Sequence, residues 1–76
     1  MHKIKILPEY FEAVLTGRKR FELRKNDRNY KIGDKIELAE WEEGDYTGRS
    51  LTFVITYILE GCPEYGLKEG YCILGF

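Results

Sequence analysis

From Lys3 to Leu7 polar and apolar residues alternate with Ile4 and Ile6 on one side, the period of a half-buried strand that ends at Leu7. Pro8 then suits the first turn of a helix, and Glu9 and Glu12 complement its positive end. Tyr10, Phe11, Val14 and Leu15 recur on one face of that helix, and Gly17 is the residue expected just past its end. The helix thus covers residues 8–16. One so short is not stable alone in water, so its apolar face must close over a sheet.

From Arg20 the period returns to two: Arg20, Glu22 and Arg24 fall on one face of a strand, Phe21 and Leu23 on the other, and the apolar pair is assigned to the core. Residues 26–29 form a polar turn, and Gly33-Asp34 marks a second turn before a strand over residues 35–41. Residues 42–48 make an acidic hairpin loop. Residues 49–60, β-branched and apolar on both faces, are expected to form the longest and most buried strand. Gly61 to Gly66 break it, and residues 71–76 supply a last apolar strand. The order is β-α-β-β-β-β, a mainly β (α+β) chain in which residues 1–76 form one domain without repeats or linkers. Five short strands and a helix are stable as an open sheet or as a partly closed barrel plugged by the helix. The barrel removes exposed edges and is the expectation.

Composition narrows the class. With 43% hydrophobic and 14% aromatic residues the chain is too apolar for disorder. A domain of this length buries only about 60–65% of the surface of its unfolded chain, so a monomer or weak homodimer of modest stability is expected. No apolar run approaches a membrane span, and the first residues lack a signal-peptide core, which reads as a cytoplasmic protein with no membrane partner. Cys62 and Cys72 read as small buried or reduced thiols, and with no C-x-x-C spacing no structural zinc is expected. No other cofactor is implied. His2 reads as a terminal residue without a partner.

Charge changes the picture most. Residues 18–35 hold eight basic and three acidic side chains, a local balance of +5, whereas the rest of the chain carries −6. That asymmetry points to an anionic partner.

The string Gly17-Arg18-Lys19-Arg20-Phe21-Glu22-Leu23-Arg24, followed by Tyr30-Lys31-Ile32-Gly33-Asp34, resembles the GxKxxExR…GD signature of ASCH domains, relatives of the PUA domain. It looks still more similar to a group of small bacterial proteins of unknown function in that superfamily, and the likeness covers nearly the whole chain. It implies a PUA-like barrel, a cleft lined by residues 17–24, and a role in binding RNA or a nucleotide or nucleoside.

The residues themselves support several readings. Glu22 and Arg24, two apart on one strand face, can pair laterally, leaving the arginine donors for a ligand. The alternative is a solvated ion pair worth ~0–1 kcal/mol. Lys19 joins them as a ligand contact or merely complements the helix end, while Arg28 and Lys31 are phosphate positioners at best. Tyr30, Trp41 and Tyr46 could stack on bases, although Trp41 fits a core position better. The ligand-binding set is therefore Gly17, Lys19, Glu22, Arg24, Arg28 and Lys31.

An amidohydrolase acting on a modified nucleoside such as N4-acetylcytidine is the first alternative, because Lys19 matches the lysine of the ASCH hydrolases. Glu22, however, replaces their threonine, and a carboxylate is no substitute for an activated hydroxyl. With His2 the sole histidine, a His general acid/base pair is absent as well. A protein-interaction module with a basic face is the second alternative.

Overall fold

The structure, a computed structural model, describes residues 1–76. Six strands and one α-helix follow in the order β1 (His2–Ile6), α1 (Pro8–Leu15), β2 (Phe21–Lys25), β3 (Lys35–Glu42), β4 (Asp45–Val54), β5 (Tyr57–Glu60) and β6 (Tyr71–Gly75), with a 3₁₀ turn at Pro63–Tyr65. They build two three-stranded sheets, β1-β3-β4 and β2-β6-β5, rather than a closed barrel. The core lies between them.

The expected strand over residues 49–60 accounts for the difference. It is two strands, one in each sheet, joined at Ile55 and Thr56. Ile55, fully buried, accepts a hydrogen bond from the Gly33 N–H (2.8 Å) and donates one to the Asp34 carbonyl (2.8 Å), so the Gly33-Asp34 turn pins the crossing point. Thr56 N–H then donates to the Gly75 carbonyl (2.9 Å), and the chain has entered the other sheet. Residues 45–50 of β4 are exposed, so this strand, though the longest, is not the most buried. The expected loop over residues 42–48 shrinks to Glu43-Gly44, both at positive φ (50° and 84°), the backbone of a two-residue hairpin turn.

β1 runs parallel to β3, His2 opposite Ile36 and Ile6 opposite Glu40. A parallel pair needs a long crossover, and α1 begins it. Phe11 and Val14 alone of the helix are buried, whereas Tyr10 and Leu15 are about half exposed (47% and 48%). The inward stripe is thus narrower than the sequence suggests. No helix is long and apolar enough to cross a membrane.

The helix stops in a Schellman arrangement. Gly17 N–H donates to the Val14 carbonyl (3.0 Å) and Arg18 N–H to the Ala13 carbonyl (2.9 Å), with Gly17 at φ +79°. Lys19 N–H reaches the same Ala13 carbonyl at 3.0 Å. That tight exit aims the chain into β2.

Two smaller expectations also change. His2 is tied down, its Nε2 donating to Asp34 Oδ2 at 2.9 Å and its ring edge-on to Tyr30 at 4.7 Å. Trp41 is half-buried rather than part of the core, packed edge-to-face on Tyr46 (4.9 Å), with Lys5 Nζ 3.9 Å from the centre of its ring. Cys62 and Cys72 are free and buried, and burial pushes the Cys72 thiol pKa up.

Candidate functional site

β2 is inverted relative to its pattern. Its register with β6 sets Phe21 opposite Gly75, Glu22 opposite Leu74, Leu23 opposite Ile73 and Arg24 opposite Cys72. Directly opposite residues share a face. Leu74 and Cys72 are fully buried, so the inward face of β2 carries Glu22 and Arg24. Phe21 and Leu23 face out, 45% and 53% exposed, while Glu22 is only 7% exposed.

A carboxylate removed from water needs partners. Lys19 Nζ lies 2.8 Å from Glu22 Oε1 and donates also to the Phe21 carbonyl at 2.7 Å. Arg24 Nη1 stands farther off, 3.5 Å from Glu22 Oε2, and donates to the Lys5 carbonyl at 3.2 Å. Lys19, not Arg24, is therefore the principal partner of the carboxylate. An ammonium has three donors and two are committed here, while Glu22 Oε2 has no close donor of its own. One donor and one acceptor stay available side by side.

Lys19 and Glu22 line a pocket of about 370 Å³ together with Tyr10 of α1, Phe21 and Leu23. Lys19 Nζ sits 5.0 Å from the centre of the Phe21 ring and 5.7 Å from that of Tyr10. The backbone contributes too. Phe76 N–H bonds to the Arg20 carbonyl and Asn26 N–H to the Gly70 carbonyl at the two ends of the β2-β6 ladder. By the alternation of an antiparallel pair, Phe21, Leu23 and Lys25 therefore turn their amides and carbonyls to the free edge of β2.

Of the residues singled out from sequence, Lys19 and Glu22 line this pocket, and Arg24 stands behind Glu22. Gly17 acts through the helix stop. Arg28 donates to the Lys3 carbonyl and Arg24 to that of Lys5, so the two arginines cap alternate carbonyls on the free edge of β1. Lys31 and Arg28 do not line the pocket. Tyr30, a candidate for stacking, is instead buried at 7% exposure. Its hydroxyl has no hydrogen-bond partner, and burial raises its pKa against the opposing pull of Arg24 and Arg28.

Sequence reasoning missed Tyr10 and Phe21 as lining residues and missed a second buried carboxylate, Glu40 (5% exposed). A β-bulge between Ala39 and Trp41 lies at this point of β3. Glu40 Oε1 accepts from Thr47 Oγ1 (2.6 Å) and Arg49 Nε (3.0 Å), and Oε2 from Arg49 Nη2 (2.8 Å). Arg49 Nη2 also donates to Glu12 Oε1 at 2.8 Å, and the guanidinium lies 4.6 Å from the centre of the Phe11 ring. The arginine thus straps α1 to β3 and β4. The hydrogen bonds from Arg49 and then Thr47 hold Glu40 at a pKa of about 2. With its lone pairs engaged, Glu40 is a structural strut. No group of three or more His, Cys, Asp or Glu side chains is placed to hold a metal ion.

Residues 1–76 match the family described as Domain of unknown function (DUF3850), and the chain belongs to that family. It is 45% identical over 60 residues to a protein of Escherichia phage P2 described as an uncharacterized 12.9 kDa protein in GpA 3'region, an alignment covering 79% of this chain and 55% of the phage protein. The chain therefore spans about half the length of that relative.

Proposed function

We propose that the pocket between α1 and β2 binds a nucleotide, free or as one unit of single-stranded RNA, within a domain of the ASCH type. The observation that carries this reading is the buried Glu22 carboxylate, held by Lys19 at 2.8 Å in the wall of a pocket flanked by Tyr10 and Phe21. A base offers a flat face to the two rings and N–H groups to the Glu22 carboxylate. Phosphate or sugar oxygens take the third donor of Lys19. A volume of about 370 Å³ is at the small end of ligand pockets, which suits one nucleoside unit. The likeness of residues 17–24 to the ASCH signature and the +5 balance of residues 18–35 support the same ligand class.

Hydrolysis of an acetylated nucleoside is the weaker reading. Lys19 is committed to Glu22 and to the Phe21 carbonyl, and no Ser, Thr or Cys side chain lines the pocket to act as nucleophile.

Calorimetric titration with the four ribonucleoside monophosphates tests the proposal. Binding that Lys19→Ala weakens by about tenfold is expected, and no binding of any of the four at millimolar concentration overturns it. Release of cytidine from N4-acetylcytidine, lost in Lys19→Ala, would instead make the domain a hydrolase.

A further inference from the structure

The cross-strand registers place Phe21, Gly75 and Tyr57 in one row, Leu23, Ile73 and Leu59 in the next, and Lys25 beside Tyr71 in a third. All of them stand on the outer face of the β2-β6-β5 sheet, which no element covers. Phe21, Leu23 and Tyr57 are 45%, 53% and 62% exposed, an uncommon amount of apolar surface for so small a sheet. A second pocket, of about 220 Å³, opens on this face between Leu23, Gly66, Leu67, Lys68 and Tyr71. Leu23 lines both pockets, so they adjoin at that residue and together form a groove.

Lys19 and Lys68 line the two pockets, Lys25 stands opposite Tyr71 on the same face, and Glu22, already paired, is the sole carboxylate lining either pocket. Neither Lys25 nor Lys68 takes part in an ion pair, and Lys68 Nζ lies 5.7 Å from the centre of the Tyr71 ring. Aromatic faces interleaved with unpaired lysines on an open sheet are how unpaired nucleotides are commonly held, since every base has a face to stack and every linkage a phosphate. Phe21 to Lys25 spans about 13 Å of strand, room for more than one nucleotide.

We propose that single-stranded nucleic acid crosses this sheet face, one nucleotide in the Lys19–Glu22 pocket and its neighbours running over Leu23 to a second subsite at Lys68 and Tyr71. The inference rests on the nucleotide reading of the first pocket and extends it to the polymer. The other sheet carries lysines beside aromatic rings as well, Lys3 Nζ 4.1 Å from the Tyr46 ring centre and Lys5 Nζ 3.9 Å from that of Trp41, so Lys3 is the comparison site in the test.

The test compares AMP, CMP, GMP and UMP with the four homotetranucleotides by calorimetry, in wild type, Lys25→Glu, Lys68→Glu and, as a control for net charge, Lys3→Glu. All three lysines are exposed, so folding is not at stake. The tetranucleotide should bind about tenfold more tightly than its monomer. The slope of its log K against log salt should be steeper by about 1.4, or about 0.7 for each of two further phosphates. Lys25→Glu and Lys68→Glu should abolish that gain and leave the monomer affinity unchanged, and Lys3→Glu should change neither. Monomer binding without a polymer gain, or a Lys3→Glu loss equal to that of Lys68→Glu, overturns the extension and leaves the first pocket standing. No binding of either form overturns both. Binding of an aspartate- and phenylalanine-rich peptide in place of any nucleotide assigns the groove to a protein partner and overturns the proposal.

Discussion

Glu22 and Leu74 stand directly opposite each other across β2 and β6, one a carboxylate and the other a fully buried leucine, on the same inward face of one sheet. Folding a charged group beside Leu74 while Phe21 and Leu23 face water reverses the usual economy of burial. Proteins break local rules of this kind chiefly at functional sites.

The Lys19–Glu22 pair compensates for that burial. Lys19→Ala should lower stability by about 1–3 kcal/mol, because it strips the carboxylate of its nearest donor. Arg24→Ala should cost less through Glu22, since Lys19 remains in place at 2.8 Å. Urea denaturation of the two variants checks the order, and equal losses would make Arg24 the true partner.

The helix stop determines where Lys19 goes. A Cβ at Gly17 would meet no atom within 4 Å, so Gly17→Ala carries only the backbone cost of φ +79°, about 1–2 kcal/mol. A loss of that size in the denaturation midpoint is expected, together with weaker ligand binding. A variant as stable as wild type would show that the left-handed stop is dispensable.

Glu40 should mark the acid limb of stability. Its folded pKa of about 2 lies below the ordinary 4.5, so its contribution is complete above about pH 4.5 and fades as pH falls toward 2. Thermal melts between pH 2 and 7 should show a shallower acid decline for Glu40→Gln than for wild type. Parallel declines would mean that the Arg49 strap does not tune this carboxylate.

How far the sequence foretells the fold depends on whether a signal is local. The alternation of β1, the helix from Pro8 and its stop at Gly17 are written in neighbouring residues, and they match the structure closely. The two-residue period of β2 is equally local, and it correctly separates Phe21 and Leu23 from Glu22 and Arg24. Which face turns inward is not local: β6 decides it by bringing Cys72 and Leu74 opposite Arg24 and Glu22. The stretch over residues 49–60 is apolar on both faces and so carries no sign of where it changes sheets; that point is set by the distant Gly33-Asp34 turn. Glu40 was hidden for a like reason, since its partners Thr47 and Arg49 reach it across a hairpin, with Glu12 of the helix accepting from the same Arg49. Lys19 and Glu22 were legible as a spacing, and Tyr10 and Phe21 beside them were not.

The most direct test of the account is amide chemical-shift mapping with the ribonucleoside monophosphates on wild type and Glu22→Gln. The predicted result is perturbation centred on Tyr10, Lys19, Phe21, Glu22 and Leu23, with Glu22→Gln weakening binding by about tenfold, the loss of one charge-assisted acceptor. Perturbations confined to the Lys3, Lys5, Trp41 and Tyr46 face, or a Glu22→Gln protein that binds as wild type does, would contradict it.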